Sequence, residues 1–396
     1  MPLGIYISVP FCRTKCSYCN FASDVFSRAV FERYVDRVCA DIENAPQVAA
    51  EMGGQMERAV DSIYLGGGTP TVLETAQLER IFEAVRRQFE VTPSAEVTVE
   101  CAPGTLTPAV IESLLRCGVN RVSLGVQSFV DQEAAAVGRL HERATVLDDI
   151  AQLRAAAGIT NINIDLIAGL PHQTSESWEF SLAEAIATGT GHVSVYMLEV
   201  DEDSRLGREL LAGGTRYHAH FVPDEEAMAD FYLAGCERLN SAGIVQYEIS
   251  NFSRHGFESM HNLKYWTRQP YFGFGVDAHS MLVSAGPDFD AVRFAPADSL
   301  EQYMSGADLQ RTAVSHRAAL EESCFLGLRL NRGVSLRELA VTFGAETVEN
   351  ASASIAEVVE AGLMERRGDF VRLTSRGRLL SNEVFERFIL VDEITR

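Results

Sequence analysis

This sequence is poor in positive charge: 34 Lys and Arg stand against 55 Asp and Glu, a net charge of −21. So acidic a chain repels a phosphate backbone unless it carries a basic run, and none is present, which argues against nucleic-acid binding as its main task. Long apolar runs are missing as well; the longest are short and broken by charge or glycine, so no helix of membrane-spanning length is expected. The start, Met1-Pro2-Leu3-Gly4-Ile5-Tyr6, has neither a basic stretch nor a signal-type apolar core, and the expected location is cytoplasmic. Disulfide-type pairing is lacking too. Of eight cysteines, Cys39, Cys101, Cys117, Cys236 and Cys324 are scattered through apolar or helical contexts. They read as ordinary buried residues in a reducing compartment.

The remaining three are concentrated. Cys12, Cys16 and Cys19 form C-x3-C-x2-C in Pro10-Phe11-Cys12-Arg13-Thr14-Lys15-Cys16-Ser17-Tyr18-Cys19. A four-iron cluster normally takes four Cys ligands. Three leave one iron with an open position, where a metal centre binds a substrate or cofactor. Structural zinc is the alternative, but it wants a second ligand pair and none follows. A redox pair of Cys16 and Cys19 would leave Cys12 idle.

The chain is 396 residues, 46% hydrophobic and 22% charged, enough for two domains or one large barrel with an appendage. Strand-like runs alternate with helical periodicity: Ile5–Val9, Ser62–Leu65, Glu96–Glu100, Arg121–Val126, Asn161–Leu166 and His192–Met197, with helices between them. Thr107 and Pro108 mark a helix start. Six such alternations predict an α/β fold with a parallel sheet covered by helices, a barrel or partial barrel, with an open doubly wound sheet as the competing topology. Past about residue 215 the pattern changes. A helix near 224–242 precedes an aromatic- and glycine-rich stretch, 287–296 reads as a linker, and the tail resembles a winged helix. The expected division is 1–215, 216–290 and 291–396.

The cysteine spacing after a first strand, with Tyr18 before the last cysteine, resembles the radical S-adenosylmethionine (SAM) superfamily. That resemblance implies a partial (β/α)6 barrel, a 4Fe-4S cluster on Cys12, Cys16 and Cys19, SAM at the open iron and an electron donor for the cluster. Gly66-Gly67-Gly68-Thr69-Pro70 resembles the superfamily's SAM amino-group loop. Tyr6, Tyr18, Gly67, Gly68, Thr69, Glu100, Gln127, Arg139 and Asp165 match SAM-binding positions of the HemN-like branch, in contexts such as Gly125-Val126-Gln127-Ser128-Phe129 and Ile164-Asp165-Leu166-Ile167-Ala168-Gly169-Leu170-Pro171.

Within that branch, the coproporphyrinogen oxidases carry a fourth cysteine where this chain has Phe21, and a longer extension before the cluster. Both features resemble the haem-chaperone subfamily instead. So does His261-Asn262-Leu263-Lys264-Tyr265-Trp266, similar to a motif tied there to haem. The resemblance implies haem as bound cargo, contacts from His261, Asn262, Tyr265 and Trp266, and delivery to haem-acceptor proteins; oxidation of coproporphyrinogen III or another tetrapyrrole is the alternative. The subfamily usually has His at Ser8 and Gly at Asp277, and His279 lies close in sequence.

Overall fold

The computed structural model describes residues 1–350 and 352–389. Six strands alternate with helices: β1 Leu3–Ser8, β2 Ala59–Gly66, β3 Glu90–Cys101, β4 Arg121–Gln127, β5 Asn161–Ala168 and β6 His192–Met197. Neighbours pair in parallel, in chain order. This is the α/β partial barrel expected from the alternation, and not a doubly wound sheet, because these six strands lie side by side in chain order.

Period-2 patterning explains the layers. Ile5, Ile7, Ile63, Leu65, Val97, Val99, Val122, Leu124, Ile162, Ile164, Val193 and Val195 point outward into the core shared with the helices, against side chains such as Val35, Leu78, Phe82, Leu114, Ile150 and Leu182. Each such residue contributes about 1.5–3 kcal/mol on full burial. The alternate positions face inward and are polar: Ser62, Tyr64, Glu96, Thr98, Glu100, Arg121, Ser123, Asn163, Asp165, His192 and Ser194. Hydrogen bonds link them between neighbouring strands, including Ser123 to Asp165 at 3.0 Å and Asn163 to Ser194 at 3.1 Å. The barrel therefore encloses a polar interior rather than an oily one.

A seventh parallel strand, β7 Tyr271–Phe274, joins β1 on its free side. The sheet then continues antiparallel through β8 Ser280–Ser284, β9 Ala291–Ala295 and β10 Gln310–Val314. The linker reading of 287–296 is thus corrected. Pro287 and Pro296 flank β9 instead of interrupting it, and buried Val292 and Phe294 alternate with half-buried Arg293. The helix start at Thr107 holds: Thr107 accepts from Val110 N–H at 3.3 Å at the head of helix Pro108–Arg116.

The C-terminal part packs helices His316–Leu328 and Leu336–Phe343 with a three-stranded sheet containing Met364–Arg367 and Phe370–Leu373. Its own core includes Leu320, Leu328, Leu339, Phe343, Met364, Val371 and Leu373. That is the winged-helix-like module the tail resembles.

Candidate functional site

The cysteine loop leaves the carboxyl end of β1 and is fixed from three sides. Val9 N–H donates to Gly66 at 2.8 Å, and Thr69 N–H to Phe11 at 2.8 Å, tying the loop to the glycine turn after β2. Ser17 N–H donates to Val137, and Leu206 N–H donates to Ser17. Lys15 Nζ donates to the carbonyls of Phe21 and Ser23. Phe21 itself is 67% exposed, so it faces solvent rather than filling the core.

All three thiols are free. Burial pushes the Cys12 thiol up, hydrogen bonds from Ser23 and Thr69 pull it back, and Cys19 and Cys16 lie within electrostatic reach. The Thr69 hydroxyl stands 3.9 Å from Cys12 Sγ, and Ser23 Oγ 4.0 Å from Cys19 Sγ. Among the described residues, no three His, Cys, Asp or Glu side chains stand close enough, as placed, to enclose a metal ion.

The glycine turn lies directly beneath. Gly67 adopts φ 90°, and a Cβ there would sit 2.8 Å from Ser8 Oγ and 3.2 Å from the Tyr6 hydroxyl. Ser8, where the subfamily usually has His, is thus a small residue under the glycine turn. At Gly68 a Cβ would meet the Val9 carbonyl at 2.5 Å. Gly68 needs hydrogen for close approach, and Gly67 needs it both for close approach and for its left-handed backbone.

Around the turn stand the other expected residues. Glu100 accepts from the Tyr64 hydroxyl at 2.8 Å. Burial pushes its pKa up to about 7, against the Tyr64 hydrogen bond. Asp165 is also raised by burial, although Ser123 and Asn163 donate to it. Gln127 sits at φ 68° beside a bulge in β4, and its buried Oε1 has no partner among the described residues. The Arg139 guanidinium faces Tyr18, Cys16, Asp165 and Cys12, and its buried Nε has no partner among the described residues. Burial also raises the Tyr6 and Tyr18 hydroxyls. The structure thereby brings Tyr6, Tyr18, Gly67, Gly68, Thr69, Glu100, Gln127, Arg139 and Asp165 to the same end of the barrel as the three thiols. Asp277, at φ 56°, follows β7 at this end and lies 3.6 Å from His279 Nε2.

The fourth expected group lies elsewhere. Helix Met260–Trp266 enters at the amino ends of the strands. Glu96 accepts from Met260 N–H at 3.0 Å, His261 N–H at 3.1 Å and Ser259 Oγ at 3.4 Å. His261 is 1% exposed. Its Nδ1 lies 3.0 Å from Ser62 Oγ and its Nε2 2.8 Å from the Tyr265 hydroxyl. Burial lowers its pKa to about 3, aided by Lys264. Lys264 is itself buried, against Asp61 at 2.7 Å and the Pro2 carbonyl at 2.9 Å. Tyr265, Asn262 and Trp266 remain half-buried, with the Arg329 guanidinium 4.2 Å over the Trp266 ring. As placed, both ring nitrogens of His261 are engaged.

Sequence reasoning missed Tyr64, Arg121, Ser123, Asn163, His192 and Ser194. The signal was there: within the strands these polar residues recur at every second position, the mark of a face turned inward.

Three comparisons bear on the site. The radical SAM superfamily model matches residues 6–185 and the HemN C-terminal domain model matches 314–380. The chain is 31% identical to the heme chaperone HemW of Lactococcus lactis, over 99% of this chain and 98% of that one, and 33% identical to HemW of Bacillus subtilis, over 97% and 98%. The solved structure of the coproporphyrinogen III oxidase HemN of Escherichia coli superposes with a TM-score of 0.82 at 24% identity, over 98% of this chain and 90% of that one. That last likeness concerns the fold.

Proposed function

The chain belongs to the HemW heme-chaperone family, within the radical SAM superfamily, and from that premise we propose that it accepts haem and passes it to acceptor proteins while holding a 4Fe-4S cluster and SAM. The observation that carries the reading is the placement of three free thiols, on one loop though not gathered as placed around a metal, at the same barrel end as the glycine turn and buried polar atoms that have no partner among the described residues. Those residues fit the group: soft thiolates for iron, and orphaned Gln127 Oε1 and Arg139 Nε for a polar ligand.

In this reading Cys12, Cys16 and Cys19 would hold the cluster, which would leave an open position for SAM. The bound pair supplies one-electron reductive chemistry. The protein's part is orientation. Gly67 and Gly68 let backbone approach the amino acid end of SAM, Thr69 adds a hydroxyl, Arg139 pairs with its carboxylate, and Glu100, Gln127 and Asp165 accept or donate to the ribose and adenine side, with Tyr6 and Tyr18 walling the site. On the haem side, Asn262, Tyr265 and Trp266 offer polar and flat surfaces. Iron ligation by His261 requires its imidazole to leave Ser62 and Tyr265. The acceptor proteins, the electron donor and a cytoplasmic location belong to the same proposal. Among the described residues no helix is long and apolar enough to cross a membrane.

The test is anaerobic reconstitution, iron and sulfide analysis, and a haem titration with and without SAM. The expected result is a four-iron chromophore, lost in Cys12→Ser, and a shifted Soret band. One equivalent of zinc with no iron overturns the cluster. Conversion of propionate to vinyl side chains on coproporphyrinogen III would replace transport by oxidation.

A further inference from the structure

A pair of histidines outside the set above stands at the carboxyl-end mouth of the barrel. His172 follows β5 in Leu170-Pro171-His172, and His218 heads the short 3-10 turn Ala219–Phe221. His172 Nε2 and His218 Nδ1 lie 3.0 Å apart. Both residues hold left-handed backbone, φ 68° and 60°, which is uncommon outside glycine. The Phe221 ring stacks on His172 at 4.2 Å, and His172 N–H donates to the Phe221 carbonyl. Glu209 clasps the second loop, accepting from Tyr217 N–H at 2.8 Å and Ala219 N–H at 3.1 Å. Beneath it Ala219 joins buried Leu170, Leu198 and Leu206, the apolar cluster on which Tyr18 of the cysteine loop also packs.

The chemistry of this pair differs from that of His261. One ring nitrogen of His218 is tied to His172, and among the described residues the other, Nε2, has no hydrogen-bond partner. A histidine that ligates a metal usually carries this arrangement: one nitrogen binds, and the other is fixed by a neighbour that sets tautomer and ring orientation. With Nδ1–H donated to His172 Nε2, His218 Nε2 keeps a lone pair on a half-buried side chain. Phe221 is exposed and supplies apolar surface for a flat macrocycle. Arg216, two residues before, is exposed beside the Tyr217 ring and supplies a cation for a propionate in an otherwise acidic chain.

Resting on the haem reading above, we infer that His218 Nε2 is an axial ligand for haem iron at the barrel mouth, with His172 as its positioning residue. The step is coordination: the imidazole lone pair replaces water on ferric iron, with no change of oxidation state. Unlike His261, His218 needs no rearrangement to take part.

The experiment is a ferric haem titration of the cluster-loaded full chain, followed by Soret absorbance and low-temperature EPR. His218→Gly suits it, because glycine accepts φ 60° without strain and leaves a hole for a free ligand. Its expected behaviour is at least tenfold weaker binding with loss of the wild-type Soret position, restored by added imidazole. His172→Gln is expected to keep the band but shift the EPR g-values, since it acts through the ligand. A His218→Gly protein that titrates like wild type overturns the inference. If His261→Ala abolishes the shift while His218→Gly preserves it, the haem reading stands and this inference fails. If the wild-type chain gives no shift, both fail.

Discussion

The Tyr64 hydroxyl donates to Glu100 Oε1 at 2.8 Å, one layer below the glycine turn. Burial raises the Glu100 pKa to about 7 despite this bond. An ionised carboxylate accepts ribose hydroxyls more strongly than a neutral carboxyl group does, so SAM affinity is expected to rise as pH passes through about 7. Equilibrium dialysis of cluster-loaded protein between pH 6 and 8 checks this. Glu100→Gln should flatten the profile and bind roughly tenfold more weakly above pH 8, the scale of one hydrogen bond to a charged group. Tyr64→Phe removes the bond that favours the charged form and should move the midpoint up. The sign for stability is opposite. The unfolded carboxyl releases its proton near 4.5 and the folded one near 7, so stability falls as pH rises between these values and is level above them. Glu100→Gln should therefore resist urea better than wild type at pH 8. A pH-independent affinity in the wild type would remove Glu100 from the site.

Gly68 gives a steric prediction. A methyl group there meets the Val9 carbonyl at 2.5 Å, the Phe11 carbonyl at 2.9 Å and the Phe11 nitrogen at 3.0 Å, all backbone. Nothing flexible can yield, so Gly68→Ala must displace the cysteine loop at a cost of about 1–3 kcal/mol. Iron and sulfide should be lost on desalting after reconstitution. Gly286→Ala, where an added Cβ would meet no other described residue beyond its chain neighbours within 4 Å, is the control and should reconstitute fully. Equal iron content in the two variants would sink the idea.

Much of this was legible in the sequence because it is local. The six strand–helix units follow from periodicity, and the three cysteines and the glycine run are adjacent in sequence to the strand ends that present them. What escaped was long-range. β7 pairs with β1, Gly4 opposite Tyr271 and Tyr6 opposite Gly273, and no local pattern links segments so far apart. The environment of His261 escaped for the same reason. Its neighbours Ser62, Glu96 and Lys264 come from two strands and its own helix, so a residue that resembles an exposed ligand in sequence is enclosed in the fold.

Glu96 carries the seating of that helix. It accepts from the backbone N–H groups of Met260 and His261 and lies 4.0 Å from Arg121, with both side chains buried. Carboxylates stabilise a helix N-terminus through its unpaired N–H groups. Glu96→Ala removes this and leaves the Arg121 charge buried without its partner, a loss of about 3–5 kcal/mol. Urea unfolding should show that drop, and near-UV absorption or fluorescence of Trp266 should report a loosened helix before global unfolding. A variant within about 0.5 kcal/mol of wild type would mean that the helix is held by other contacts.

His261 also sets acid sensitivity. Its folded pKa is about 3 against 6.5 for a free imidazole, through burial first and then Lys264 and Arg121. His141 is lowered to about 4 and His192 well below its ordinary value, both chiefly by burial. The unfolded chain therefore takes up protons below pH 6.5 that the folded chain refuses. Stability is full above 6.5 and falls as pH drops toward 4, by about 1.4 kcal/mol per pH unit for each such histidine once well below 6.5. His261→Gln cannot take up that proton, so although it loses stability at pH 7.5, its stability should decline less steeply between pH 6 and 4.5 than that of wild type. Parallel slopes for the two proteins would show that the imidazole protonates in the folded state, and that helix Met260–Trp266 leaves its seat far more readily than its contacts imply.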